Sequence, residues 1–263
     1  MNERRIIQTG IDVSRYQGKI DWARVKAGGT GFAIIKCTQG VNTVDPEFHR
    51  NMRNCAAVGL PVGAYVYSRA RTAFAAAEEA ERAAEECAPY HLDYPIAMDF
   101  EAAQFLAMPK KTRGAIIDAF CTRIEARGYK PMLYSSKYWL SALIPSETTR
   151  RWDVWLAQYA LRPTYSGDFT MWQRGTGKVD GIAGRVDIDI CYRDYVDESP
   201  DRIVFALTSP MMQGKPVSAL QAMLNAAGYT ASDGQRLNVD GKLGKRSFSA
   251  FVEFLNAHKK YIE

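Results

Sequence analysis

The chain has few long apolar runs. The charge-free stretch Cys55–Ser68 is broken by Gly59, Pro61 and Gly63. At about 14 residues it falls short of the roughly 18–20 that a spanning helix requires, so membrane insertion is not expected. No apolar core follows the basic start Met1-Asn2-Glu3-Arg4-Arg5, because Gln8, Gly10 and Asp12 come at once, and a secretory leader is not expected either. Histidine is scarce. His49, His91 and His258 lie far apart, in no HxxxH or HExxH spacing, so neither a metal nor another cofactor is expected. The cysteines (Cys37, Cys55, Cys87, Cys121, Cys191) are odd in number and never in CxxC spacing. They read as reduced, buried thiols and not as a disulfide framework. No GxGxxG follows a strand pattern and no Walker A loop occurs, which removes the usual support for nucleotide binding. The net charge is small, 34 − 29 = +5. With no basic run interleaved with aromatics, nucleic acid is not an expected partner.

What is present is ordinary globular composition, 47% hydrophobic and 24% charged. Up to Tyr195, short β-branched or aromatic runs alternate with helical patterns. Strands are expected at Gln8–Val13, Phe32–Lys36, Pro61–Tyr67, Ile96–Phe100, Met132–Ser135, Val154–Gln158, Thr170–Gln173 and Val186–Ile190. Helices are expected at Trp22–Lys26, Pro46–Val58, Thr72–Ala88 and Thr112–Arg127, the last stopped by Gly128. In Thr72–Ala88 the stripe Phe74, Ala77, Ala80, Ala84 and Cys87 reads as the buried face, with Glu78 and Arg82 paired on the other. This alternation predicts an α/β fold, and at this length a barrel is favoured over an open sheet. The polar stretch Asp197-Glu198-Ser199-Pro200-Asp201 marks a linker. Beyond it, Val217, Leu220, Leu224 and Ala227 fall at helical spacing, and a last helix carries Phe248, Phe251, Val252 and Leu255 on one side. Gly241 and Gly244 read as turn residues that need positive φ. The expected division is a barrel over 1–196, a linker over 197–209 and a small all-α domain over 210–263. The tail carries seven basic and four acidic residues from Pro210 onward, 7 − 4 = +3.

The strongest chemical signal is Tyr94-Pro95-Ile96-Ala97-Met98-Asp99-Phe100-Glu101. Side chains at i and i+2 of a strand share a face, which places the two carboxylates together at the end of an apolar strand. Like charges that close push one pKa upward, leaving a proton donor beside an ionised partner, as glycoside hydrolysis requires. A solvated strand end accounts for Asp-x-Glu alone. Asp12, in Ile11-Asp12-Val13, and Asp187, in Val186-Asp187-Ile188-Asp189, alter that reading, because carboxylates within apolar strands are costly unless paired or functional. In a barrel such strands converge on one acidic cleft at the C-terminal face. A turn cap is the bland alternative for Asp12. Tyr65, Tyr67, Tyr134, Trp155, Tyr159 and Trp172 supply rings on which the apolar faces of sugars stack, and barrel core is the bland alternative for any one of them. A chitinase-like DxxDxDxE is excluded, since Ala97 and Tyr94 stand where that motif needs Asp.

In order, DVSRYQGKIDW, FAIIKCTQG, DPEFHRN, GAYVYSRA, YPIAMDFE, VWLAQY, MWQ and GRVDIDICY resemble glycoside hydrolase family 25, the Chalaropsis-type lysozymes, over about residues 8–193. The resemblance implies an irregular, TIM-like β/α barrel that cleaves the β-1,4 bond between N-acetylmuramic acid and N-acetylglucosamine in bacterial peptidoglycan. It places Glu101 as general acid/base, Asp99 as the carboxylate that assists at the sugar centre, and Asp12 and Asp187 as the other cleft acids. Asp189 stands where the family has Asn, which leaves two candidates on that strand, of which Asp187 is taken. Tyr65 matches the family's tyrosine after Gly-Ala, and with it Tyr67, Tyr134, Trp155, Gln158, Tyr159 and Trp172 are the expected substrate contacts. Whether Asp99 attacks the sugar or orients its 2-acetamido group stays open, with the family leaning to the second. The tail resembles a three-helix peptidoglycan-binding domain through Val217–Asn225 and Val239–Gly244. The whole implies an endolysin-like enzyme made in a host cytoplasm and released to the wall, with a secreted enzyme as the alternative setting. A non-catalytic wall binder on a decayed barrel is the rival function. Nothing in the sequence sets an oligomeric state.

Overall fold

The structure, a computed structural model, describes residues 5–196 and 211–257. The chain divides into two compact units, Met1–Ser199 and Pro200–Glu263. The expected linker 197–209 lies outside the described residues.

The first unit contains β1 (Gln8–Val13), α1 (Trp22–Ala27), β2 (Phe32–Gln39), β3 (Thr43–Val44), α2 (Phe48–Ala57), β4 (Val62–Tyr67), α3 (Ala73–Cys87), β5 (Ile96–Asp99), α4 (Lys110–Ala126), β6 (Pro131–Ser136), α5 (Ser146–Arg151), β7 (Asp153–Ala157), β8 (Met171–Gly177) and β9 (Val186–Cys191). Eight strands close a ring in the order β1-β2-β4-β5-β6-β7-β8-β9 and back to β1, while β3 folds back on the end of β2. Ring pairings are parallel except those of β9, which runs antiparallel to both β8 and β1. A hairpin therefore replaces the last crossover, and the barrel is irregular in the sense expected. Its seam brings Asp12 and Asp187 into register as neighbours.

Two apolar shells hold the unit together. Inside the ring, Phe32, Ile34, Tyr94, Ala97, Met132, Trp155, Met171, Cys191 and Tyr195 fill the half nearer the strand starts. Phe32 and Tyr94 stack there at 4.4 Å between ring centroids. Gly10 permits this plug, because a Cβ at that position would sit 2.5 Å from the Phe32 ring. The larger shell lies between sheet and helices. All five cysteines are buried free thiols, and among the described residues no helix is long and apolar enough to cross a membrane.

Helix α3 departs from its expected face. Its buried positions are Ala76, Glu79, Ala80, Ala83, Ala84 and Cys87, while Phe74 is exposed in the first turn. Small residues let the helix approach closely, and Glu79 is accommodated by hydrogen bonds from Ser68 Oγ (2.7 Å) and Arg69 N (2.8 Å). Arg82 pairs with Glu86 one turn on.

In the second unit, α6 (Lys215–Ala226) and α7 (Lys245–Ala257) enclose a core of Val217, Leu220, Leu224, Ala231, Leu237, Leu243 and Ala250. Gln221 is its buried hub. Its Nε2 donates to Asp240 Oδ1, the Lys242 carbonyl and Ser247 Oγ, and its Oε1 accepts from Gly241 N. Gly241 takes φ +69°, as its turn demands, whereas Gly244 needs no positive φ. Ala227 lies beyond the end of α6 and is exposed, as is Val252 on α7, and Phe254 packs in with Phe248 and Phe251.

Candidate active site

Parallel strands deliver their C-terminal ends to one mouth, and this is where the first unit keeps its polar interior. A cavity of about 260 Å³ is lined by Asp12, Tyr65, Asp99, Glu101, Tyr134, Trp155, Tyr159, Gln173 and Asp187. Asp12 comes from β1, Tyr65 from β4, Asp99 from the last position of β5, and Tyr134 and Trp155 from β6 and β7. Glu101 stands two residues past β5. Its approach is fixed by Phe100, fully buried and stacked on Phe105 at 3.9 Å, with its N–H donating to the Tyr134 carbonyl and its carbonyl accepting from Ser135 Oγ. Glu101 is exposed at the rim, whereas Asp99 is buried.

A hydrogen-bond network orients the acids. Tyr134 OH donates to Gln173 Oε1 (3.0 Å), and Gln173 Nε2 donates to Asp12 Oδ2 (2.8 Å). Trp155 Nε1 donates to Asp189 Oδ1 (2.8 Å), and Tyr159 OH donates to Asp187 Oδ1 (2.5 Å). Both β9 acids face the barrel interior, with Asp187 on the cavity wall and Asp189 fully buried below it. Asp99 Oδ1 and Asp189 Oδ2 are buried and accept no hydrogen bond from the described residues.

With so many carboxyls in so little water, Asp12, Asp99, Glu101 and Asp189 lean towards the neutral form. Burial, then Asp187, pushes Asp12 up to about 7, against the pull of the Gln173 amide. Asp99 is held well above the ordinary range by burial first, then by Glu101, with Lys36 opposing. Asp189 is raised by burial and then by Asp12, and Glu101 by partial burial and then by Asp187. The sequence pattern predicts one neutral acid beside a permanently ionised partner. In the folded chain Asp99 shares the upward push, because burial falls most heavily on it.

Three expected contacts lie outside the cavity wall. Trp172 is buried in the outer shell with Nε1 donating to the Gln158 carbonyl at 2.8 Å, so its polar tip is satisfied away from the mouth. Strand alternation accounts for this: Gln173 faces in, and its neighbour must face out. Gln158 braces its own loop, with Oε1 accepting from Thr164 N and Nε2 donating to Thr164 Oγ1. Tyr67 stands at the rim, its ring 5.1 Å from Lys36 Nζ. Of the network residues, Gln173 carries no expected role from sequence and Asp189 is the candidate passed over for Asp187, although the alternation of β8 and β9 points both inward. Among the described residues no cluster of His, Cys, Asp or Glu is arranged to hold a metal.

Comparison with known proteins bears on this cavity. Residues 11–182 match the glycosyl hydrolases family 25. The chain belongs to that family. Lysozyme M1 of Streptomyces globisporus is 31% identical over 193 residues, covering 68% of this chain and 65% of that protein. The lysozyme of Lactococcus phage mv1 is 27% identical, covering 65% of this chain and 89% of its own. The crystal structure of the bacterial lysozyme from Streptomyces coelicolor superposes with a TM-score of 0.59 at 28% identity, over 69% of this chain and 90% of that one. The chain thus spans slightly less than two thirds of Lysozyme M1. The family 25 match takes in Asp12, Asp99 and Glu101, stops short of Asp187, and leaves the second unit outside.

Proposed function

We propose that the chain is a retaining N-acetylmuramidase, a lysozyme that hydrolyses the β-1,4 bond between N-acetylmuramic acid and N-acetylglucosamine in bacterial peptidoglycan. One observation carries this reading: Asp12, Asp99, Glu101 and Asp187, scattered along the sequence, line a single aromatic-walled cavity at the barrel mouth. Glu101, reachable from solvent and with its pKa raised, donates its proton to the glycosidic oxygen and then, as carboxylate, takes one from the attacking water. Asp99 orients the substrate's 2-acetamido group, whose carbonyl oxygen attacks the anomeric carbon. Asp99 lines the cavity, and in this reading its carboxyl receives the acetamide N–H. Asp187 supplies negative field to the oxocarbenium-like centre, joined by Asp12 in its ionised fraction above about pH 7, and Tyr65, Tyr134, Trp155 and Tyr159 face the sugar. Tyr67 borders the entrance.

The second unit is the wall anchor in this reading, and the setting is endolysin-like: synthesis in a host cytoplasm, then release to the wall. The match to a phage lysozyme over most of that protein's length supports the setting. The Glu101→Gln variant tests the assignment. Release of muramic-acid reducing ends from purified peptidoglycan should fall by at least about 10²-fold, the lower range of general acid catalysis, while sedimentation with cell walls is unchanged. Undiminished release would remove Glu101 from the reaction. Wall binding without release by the native chain would favour the non-catalytic rival.

A further inference from the structure

The mouth of the barrel is not uniformly acidic. Where β1, β2 and β4 end, three cations gather: Arg15 just after β1, Lys36 on β2 and Arg69 just after β4. Each lies against a tyrosine ring. The Arg15 guanidinium is 5.1 Å from the ring centroid of Tyr16, to whose hydroxyl it donates at 3.3 Å. Lys36 Nζ and the Arg69 guanidinium lie 5.1 and 6.0 Å from the Tyr67 ring. Tyr16 is 77% exposed, and Arg15 and Arg69 are exposed as well. Elsewhere on this unit several arginines find carboxylates, Arg24 with Asp180, Arg50 with Glu47, Arg127 with Glu81 and Arg193 with Asp153, while others, Arg150 and Arg185 among them, bond hydroxyl and carbonyl oxygens. Among the described residues none of the three shoulder cations forms an ion pair, although acidic side chains are abundant nearby. The shoulder is continuous with the cleft, for Tyr67 is the register partner of Asp99.

We propose that this shoulder, Arg15, Lys36 and Arg69 with Tyr16 and Tyr67, is a subsite for the carboxylate-bearing peptide attached to the glycan. This rests on the muramidase reading. Of the two sugars, only N-acetylmuramic acid carries a lactyl ether, and its peptide brings negative charge within one residue of the bond to be cut. An anion held there meets unpaired cations while the neutral ring lies over the acids. A separate wall polyanion would not arrive in fixed register with the bond. The aromatic faces beside the cations pack the peptide's aliphatic parts.

The test compares peptidoglycan with its peptides intact and the same strands after carbodiimide and ammonia have stripped the peptide carboxylates of charge by converting them to amides, both free of phosphate-rich wall polymers. The variant carries Arg15→Gln and Arg69→Gln, both exposed and outside the cavity. On intact material its KM should rise about three- to tenfold with kcat unchanged. On the amidated strands it should match the native chain. Lysine at both positions should restore most of the loss, and the native chain's preference for intact strands should shrink as salt rises. Equal effects on the two substrates, or none on intact peptidoglycan, would overturn the subsite while leaving the muramidase in place. If the native chain frees no muramic-acid ends from either substrate, the muramidase reading itself fails and the subsite falls with it.

Discussion

Asp189 is a carboxyl without solvent, held by one indole N–H and pressed against Asp12. A raised folded-state pKa means that the native chain keeps a proton which the unfolded chain loses near pH 4, so stability falls as pH rises above that point. The Asp189→Asn variant keeps an acceptor for Trp155 Nε1 and has no proton to lose. Urea unfolding at pH 5 and pH 8 should show a smaller loss for the variant than for the native chain, and equal losses would mean that Asp189 is ionised when folded. Asp12, pushed up to about 7, contributes a slope of the same sign to both proteins between about pH 4 and 7. At this scale the sequence disclosed which acids gather but not how they share protons. Asp-x-Glu at a strand end announces proximity, whereas the deep burial of Asp99 depends on side chains from β4 and β6 that only the closed ring assembles.

Alternation does more work at the element scale than motif reading. All eight ring strands were legible as short apolar runs, and so were the main helices of the first unit. β3, two residues long, and α5, polar throughout as Ser146-Glu147-Thr148-Thr149-Arg150-Arg151, have no periodic stripe to betray them. Trp172 and Phe74 mislead for a shared reason: large rings suggest a binding face or a core. Strand parity sends Trp172 outward, and the close packing of an alanine-rich face leaves Phe74 in solvent. Gly10 shows the converse, a silent residue with a strict requirement. Gly10→Ala should destabilise the barrel by about 1–3 kcal/mol, because the Phe32 ring, stacked on Tyr94, has nowhere to retreat. A denaturant midpoint unchanged from the native chain would show that the plug can yield.

For the whole molecule, two separate apolar cores predict two separable unfolding events. Leu224 is fully buried in the second unit, and Leu224→Ala should cost about 2–5 kcal/mol there. Calorimetry should then show one transition moved to lower temperature and the barrel transition in place. A single transition that moves as a whole would mean that the units fold together. The barrel has its own topological signature. Because β9 runs against its neighbours, the polypeptide returns to the end from which β1 set out, and Ile7 N donates to the Cys191 carbonyl at 2.9 Å. Entry and exit are stitched side by side at the closed end, opposite the mouth. Such a piece can be inserted into a longer gene at either junction, or have its old ends joined and new ones opened elsewhere, without cutting a loop that borders the groove.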